Sequence, residues 1–257
     1  MTLVLGIKCS DGIVLGADGA ATYVAGGSML PTIQQNTSKK LRLIGRDMIF
    51  GMAGPVGMSQ SHHESLQNLI RSTGDKCNFK GHNDAKKKLE TLLWANAKDA
   101  WERAGLASRA ALHPVLEDCE HSTLIACAVS GQPELIQFTG KCSGEFATEE
   151  LPFVAIGSGQ PKADPFLAFV RRIFWPDRLP ELSEGVFACL WTLNYVIHAD
   201  TTINPPVQIA TLKSEGGVWS GQELSAEQLQ EHQEHISARE KLLRDGPTGP
   251  APEVPEN

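Results

Sequence analysis

The sequence predicts an α+β protein folded as a four-layer αββα sandwich. Strand-like and helix-like blocks follow one another as strands, two helices, strands, two helices, strands. The first two helical blocks are amphipathic, the second with apolar residues at i, i+3 and i+4, so each of these has one face to bury. Two sheets enclosed between two helical layers satisfy this order, because each helix pair covers one sheet face.

The elements are legible in turn. Leu3 to Cys9 is an apolar, β-branched run, Ser10-Asp11-Gly12 supplies a turn, and Ile13 to Ala17 runs back to Asp18, which predicts a hairpin. Tyr23 to Ser38 carries two Gly, one Pro and several polar residues and reads as a loop. Lys40 to Ile44 and Met48 to Ala53 form a second strand pair, and Pro55 opens a helix from Val56 to Arg71. A second helix spans Asp84 to Ala104, with Asn83 as its N-cap. Gly105 to His121 reads as a long connection. Strands follow at Ser122 to Val129, Leu135 to Phe138 and Phe153 to Ile156, then helices at Ala163 to Phe174 and Glu184 to His198. Val207 to Leu212 and Val218 to Trp219 close the strand set. The expected organisation is one domain over residues 2–220, a C-terminal helical extension over 221–246 and a disordered tail over 247–257. The extension has a thin stripe (Leu229, Ile236, Leu243) with which to lean on the domain or on a neighbouring subunit, and the tail holds four prolines and no core-forming residue.

Composition narrows the function. A chain of 257 residues with 41% hydrophobic content can bury a sizeable core, and no apolar run approaches the roughly 20 residues of a membrane span. With no signal-peptide layout either, a cytoplasmic location is expected. A net charge of −7 without a Lys/Arg block argues against nucleic acid. Six cysteines are scattered without a C-x-x-C pair, and Cys9, Cys127 and Cys189 lie inside apolar runs. No cofactor or metal is expected: Gly157-x-Gly159 lacks the rest of a phosphate loop, His232 and His235 read as a solvated helix face, and His62-His63 reads as surface.

The chemistry sits at the start. Once Met1 is trimmed, Thr2 joins a hydroxyl nucleophile to a free α-amine, whose reference pKa of about 7.7–8.0 lets it serve as general base. The stretch TLVLGIKCSDGIVLGADGAAT resembles the N-terminus of mature proteasome β-subunits and of HslV-type peptidases. Lys39-Lys40 before Leu41 and Leu43, Met52-Ala53-Gly54-Pro55-Val56-Gly57, and Ala155-Ile156-Gly157-Ser158-Gly159 continue the likeness in order, over roughly residues 2 to 215. The resemblance implies the N-terminal nucleophile hydrolase fold and a threonine-type endopeptidase. Among its members the chain is most similar to the divergent bacterial homologues, the β-proteobacterial proteasome homologue first.

That resemblance also implies a site. Thr2 is the nucleophile, Lys40 (rather than Lys39) the cation that lowers the amine's pKa, and Asp18 its anchor. Gly54 offers an oxyanion-hole N–H, while Ser158 and Asp200 position the amine. After Asp200 the likeness degrades, and either Thr201 or Thr202 replaces the family's serine, or neither does. The matching pocket residues are Ala21, Ser38, Met52 and Val56, with Arg42 nearby. The expected partners are copies of the same chain in a homo-oligomer, a stacked double ring, with peptide or unfolded polypeptide substrates and an ATPase unfoldase; neither nucleic acid nor membrane is expected. A small-amide amidohydrolase of the same superfold and a catalytically silent ring scaffold remain open alternatives.

Overall fold

The apolar run that opens the chain forms strand β1 (Val4–Lys8), and the Ser10-Asp11-Gly12 turn returns it as β2 (Gly12–Ala17) in the computed structural model. The structure describes residues 2–24, 31–35, 39–111 and 119–246, with backbone alone for 21–24, 31–35 and 111. The stretch read as a loop holds a two-stranded ribbon instead, β3 (Ala21–Val24) on β4 (Pro31–Gln35). Thr22, Tyr23, Val24, Thr32 and Ile33 are strand-favouring residues whose signal the surrounding Gly and polar residues masked.

The second pair, β5 (Leu41–Ile44) and β6 (Met48–Ala53), leads into α1 (Val56–Arg71). Helix α2 runs over His82–Ala111, beginning before the expected Asn83 cap and continuing through Gly105. One interior Gly costs only about 1 kcal/mol, and Leu106, Ala107, Ala110 and Ala111 are good helix formers. Strands β7 (Ser122–Val129), β8 (Gln132–Thr139), β9 (Ser143–Phe146, unforeseen in the sequence) and β10 (Phe153–Ile156) precede α3 (Gln160–Phe174) and α4 (Leu182–Ala199). The chain then adds β11 (Gln208–Glu215), β12 (Val218–Glu223) and α5 (Ala226–Asp245). The expected tail, 247–257, lies outside the described residues.

Two antiparallel sheets result, ordered β10-β1-β2-β11-β12 and β5-β6-β7-β8-β9. Period-2 alternation sends each strand's side chains to different cores. From β1, Val4 enters the core between the sheets with Leu15, Leu41, Leu124 and Leu135, whereas Leu3, Leu5 and Ile7 meet Leu167, Leu190 and Leu193 of the α3–α4 layer. Phe50, Leu66, Leu89, Leu93 and Ile136 fill the space between the second sheet and α1–α2. At about 1.5–3 kcal/mol for each large apolar side chain fully buried, these three layers account for the stacking. The molecule is thus the expected αββα sandwich.

Helix α5 lies on this domain. Its N-cap Ser225 exchanges hydrogen bonds with Gln228 in a capping box. Ile236 is buried, Trp191 Nε1 donates to Glu240 Oε1 at 2.8 Å, and the Arg239 guanidinium lies 5.3 Å from the Phe187 ring centroid. Leu243, the last residue of the stripe, is exposed. Among the described residues, no helix is long and apolar enough to cross a membrane.

Candidate active site

Strand register brings the start of the chain to the site. Val4 pairs with Ala17 on one side and with Ile156 on the other. Continuing the β1–β10 register by two residues sets Thr2 beside Ser158, and the Thr2 nitrogen donates to Ser158 Oγ at 3.1 Å. The Thr2 carbonyl accepts from the Gly159 N–H (3.2 Å) and from Ser158 Oγ (3.4 Å), so the residue is held on both sides of its Cα. Gly157 makes room for this: its φ is +91°, and a Cβ there would stand 2.3 Å from the Thr2 carbonyl oxygen.

Asp18 is wholly buried at the end of β2. Its Oδ1 accepts from the Leu3 N–H at 2.8 Å and from Lys40 Nζ at 2.6 Å, and its Oδ2 from the Ala20 N–H at 3.2 Å. One carboxylate therefore ties the residue after Thr2 to the ammonium of Lys40. That side chain is only 7% exposed, and its backbone N–H donates to Gln208 Oε1 at 2.9 Å. Burial lowers the Lys40 pKa below its ordinary 10.5, with Asp18 opposing the shift by charge and hydrogen bond. Lys39 points elsewhere, to Glu223 on β12, and both members of that pair are exposed.

Asp200 caps the end of α4 and faces two groups. Lys162 Nζ donates to its Oδ2 at 2.6 Å, and the Thr202 hydroxyl and N–H donate to its Oδ1 at 2.6 and 2.9 Å. Burial by itself raises its pKa, but the hydrogen bonds from Lys162 and Thr202 outweigh that and hold it below the ordinary carboxylate value. Thr202, not the exposed Thr201, is the threonine bonded to Asp200. Lys162 and Gln208 carried no signal of their own in the sequence.

A cleft of about 590 Å³ opens beside Thr2, lined by Ala53, Gly54, Trp101, His121, Gly157 and Ser158 among others. Of the expected pocket residues, Met52 is buried in the core under α1 and α2 and Val56 is half exposed at the start of α1, and neither lines this cleft. Ser38 lies outside the described residues, as does the side chain of Ala21. Trp101, read as a helix-face residue, lines the cleft with its indole Nε1 buried and unpartnered among the described residues. Gly54 forms part of the wall at φ +143°, and a Cβ there would meet the Cβ of His121 at 2.6 Å. Gly54→Ala is expected to cost more than about 1 kcal/mol of stability, since both the backbone conformation and the contact require glycine. An unchanged urea midpoint would refute that.

Behind this wall stands a cluster of buried groups. His62 on α1, expected at the surface, is wholly buried, and its Nε2 is 3.2 Å from Nε2 of His121. Burial, reinforced by His121, drops the His62 pKa to about 3, so it is neutral. Cys142 Sγ lies 3.6 Å from the same His121 nitrogen, and burial pushes its thiol pKa up to about 11.

No protein-family model matches the chain, and no curated protein matches it. Solved structures do. A Gly-1 mutant of Anbu from Hyphomicrobium sp. strain MC1 aligns with a TM-score of 0.65 at 16% identity, over 100% of this chain and 99% of that one. Anbu from Yersinia bercovieri, described as an ancestral beta-subunit, gives 0.65 at 15% identity over 98% and 99% of the two chains. An Anbu complex from Pseudomonas aeruginosa, described as a helical assembly, gives 0.65 at 17% identity over 99% and 100%. These neighbours are proteasome-like but form a distinct family, which overturns the assignment to proteasome β-subunits, HslV-type peptidases or the β-proteobacterial homologue. The hairpin and the glycine turns serve the strand pairing and the close packing seen here and do not by themselves separate one family of this fold from another. At such identities the likeness is one of fold, and the chain has the proteasome-type N-terminal nucleophile fold.

Proposed function

We propose that this protein is an amide-bond hydrolase of the threonine-peptidase type, acting through Thr2 once Met1 has been removed. With Met1 attached the Thr2 nitrogen is an amide and has no basic lone pair. Freed, it takes the hydroxyl proton as Thr2 Oγ1 attacks the substrate carbonyl carbon. The Gly54 N–H receives the oxyanion. The C–N bond then breaks, the leaving amine takes the proton from the threonine ammonium, and water hydrolyses the resulting ester to regenerate Thr2. The reading is supported above all by the Asp18 carboxylate, which joins Lys40 Nζ at 2.6 Å to the Leu3 N–H at 2.8 Å, one residue from the nucleophile. Incubation of the mature protein with a peptide epoxyketone, followed by intact-mass measurement, is expected to give one adduct per chain. That warhead requires both hydroxyl and free amine, so the absence of an adduct from protein proven to begin at Thr2 would refute the reading.

Self-assembly belongs to the same proposal. Phe169, Ile173 and Tyr195 leave large apolar side chains exposed on the α3–α4 face, as does Trp94 on α2. One structural neighbour is described as a helical assembly, so an open helical array stands beside the closed double ring as the form expected here. Light scattering is expected to give a mass of many subunits, and a stable monomer at working concentration would overturn it.

A further inference from the structure

We propose that His62, His121 and Cys142 form a binding site for a thiophilic divalent transition-metal ion of the zinc type, built into the wall behind Gly54. The ligand atoms of the three residues all lie within 4.8 Å of one another, and all three residues are buried. The two separations from His121 Nε2 are those of a coordination shell. Tetrahedral zinc with metal–nitrogen bonds of about 2.0–2.1 Å and a metal–sulfur bond of about 2.3 Å requires N···N near 3.3 Å and N···S near 3.6 Å. The observed separations are 3.2 Å between the two Nε2 atoms and 3.6 Å between Cys142 Sγ and His121 Nε2.

The surroundings orient the donors. His121 Nδ1 faces the Cys119 carbonyl oxygen at 3.0 Å, an acceptor only, so that nitrogen carries the proton and the Nε2 lone pair points into the cluster. Cys142 sits at φ +61°, unusual for a residue with a side chain, in the turn between β8 and β9. That turn is itself fastened to His121 by the Gly140 N–H on the His121 carbonyl at 3.0 Å. Asn96 Nδ2 donates to the Ser61 carbonyl and faces His62 Nδ1 at 3.2 Å, which places the His62 proton on Nε2, in a hydrogen bond to His121. Binding therefore moves this proton to Nδ1, which then donates a hydrogen bond to the Asn96 amide oxygen as that amide turns and exchanges its contacts with Ser61 and Ser65, and releases the Cys142 thiol proton to solvent. Glu90, whose Oε1 accepts from the Gly144 N–H at 2.8 Å, supplies negative charge nearby. The ion would pin α1, the residues before β7 and the β8–β9 turn together, and with them the side chain against which Gly54 packs.

The test uses untagged full-length protein, stripped with chelator and titrated with cobalt(II) alone. One equivalent per chain is expected to bind, with visible bands of tetrahedral cobalt and a near-ultraviolet thiolate charge-transfer band, both lost on adding zinc. Cys142→Ser, shown folded by circular dichroism, should lose the near-ultraviolet band and bind at least on the order of 10–100-fold more weakly, whereas Cys77→Ser should behave as wild type. X-ray absorption on the zinc-loaded wild-type protein is expected to show one sulfur and two imidazoles, and it decides the matter if the Cys142 variant does not fold. No stoichiometric uptake, a charge-transfer band that survives in folded Cys142→Ser, or a shell without sulfur would each overturn the proposal. The site is independent of the Thr2 chemistry, and its failure would leave the epoxyketone adduct untouched.

Discussion

Thr2→Ala is expected to lower peptide hydrolysis by about 10⁴–10⁶-fold, the range seen when the nucleophile is removed from a covalent mechanism. The alanine variant keeps everything that positions the residue. Its nitrogen still faces Ser158 Oγ, its carbonyl still accepts from the Gly159 N–H, and the Leu3 N–H still binds Asp18. Stability and assembly should therefore match wild type, which separates loss of chemistry from loss of fold. Thr2→Ser retains hydroxyl and amine and should keep much of the activity. A fluorogenic peptide assayed on protein whose N-terminus has been verified by mass decides this, and wild-type-like turnover in Thr2→Ala would remove Thr2 from the mechanism.

The parts of the site legible in the sequence lie on short, regular elements. The hairpin itself was legible from its turn, and it sets residue 3 close to residue 18, but the role expected of Asp18 came from the family resemblance and not from the local pattern. Gly157-Ser158-Gly159 was legible as a break after an apolar strand, while the expectation that Ser158 meets the Thr2 nitrogen came from the resemblance, since the residues alone read as a helix-capping serine. The cluster of His62 and His121 was not. These residues are 59 positions apart, His121 is a lone histidine, and adjacency to His63 gave no hint that α1 turns His62 inward onto the second sheet. Lys162 and Gln208 were hidden for the same reason: a lysine on a helix and a glutamine on a strand gain their partners, Asp200 and the backbone of Lys40, only through long-range contact. Helix α2 outran its predicted end because packing and good helix formers outweighed Gly105, which a reading of propensity takes as a stop.

Lys40→Ala is expected to cost on the order of 10²–10³-fold in rate, comparable with removal of a donor that stabilises charge in the transition state. The variant also leaves Asp18 buried without its cation, a penalty of about 3–5 kcal/mol for a broken buried pair, so some loss of stability accompanies the loss of rate. Lys40→Arg separates the two effects: it keeps the charge and can still bond Asp18, but its larger planar head misplaces that charge, so stability should recover further than activity. Lys39→Ala should change neither, because its pair with Glu223 is exposed on both sides and such pairs contribute about 0–1 kcal/mol. The pH profile carries a second, independent signature. Activity should rise as the Thr2 amine loses its proton and fall on the alkaline side as Lys40 loses its own. Burial lowers the Lys40 pKa, so this alkaline limb should begin below the ordinary lysine value of 10.5. In Lys40→Arg the limb should move beyond the range of measurement, since a guanidinium stays charged, while in Lys39→Ala it should stay where it is. Equal losses in the two alanine variants, or an alkaline limb that follows Lys39, would transfer the role to the neighbouring lysine and break the link between Asp18 and the reacting groups.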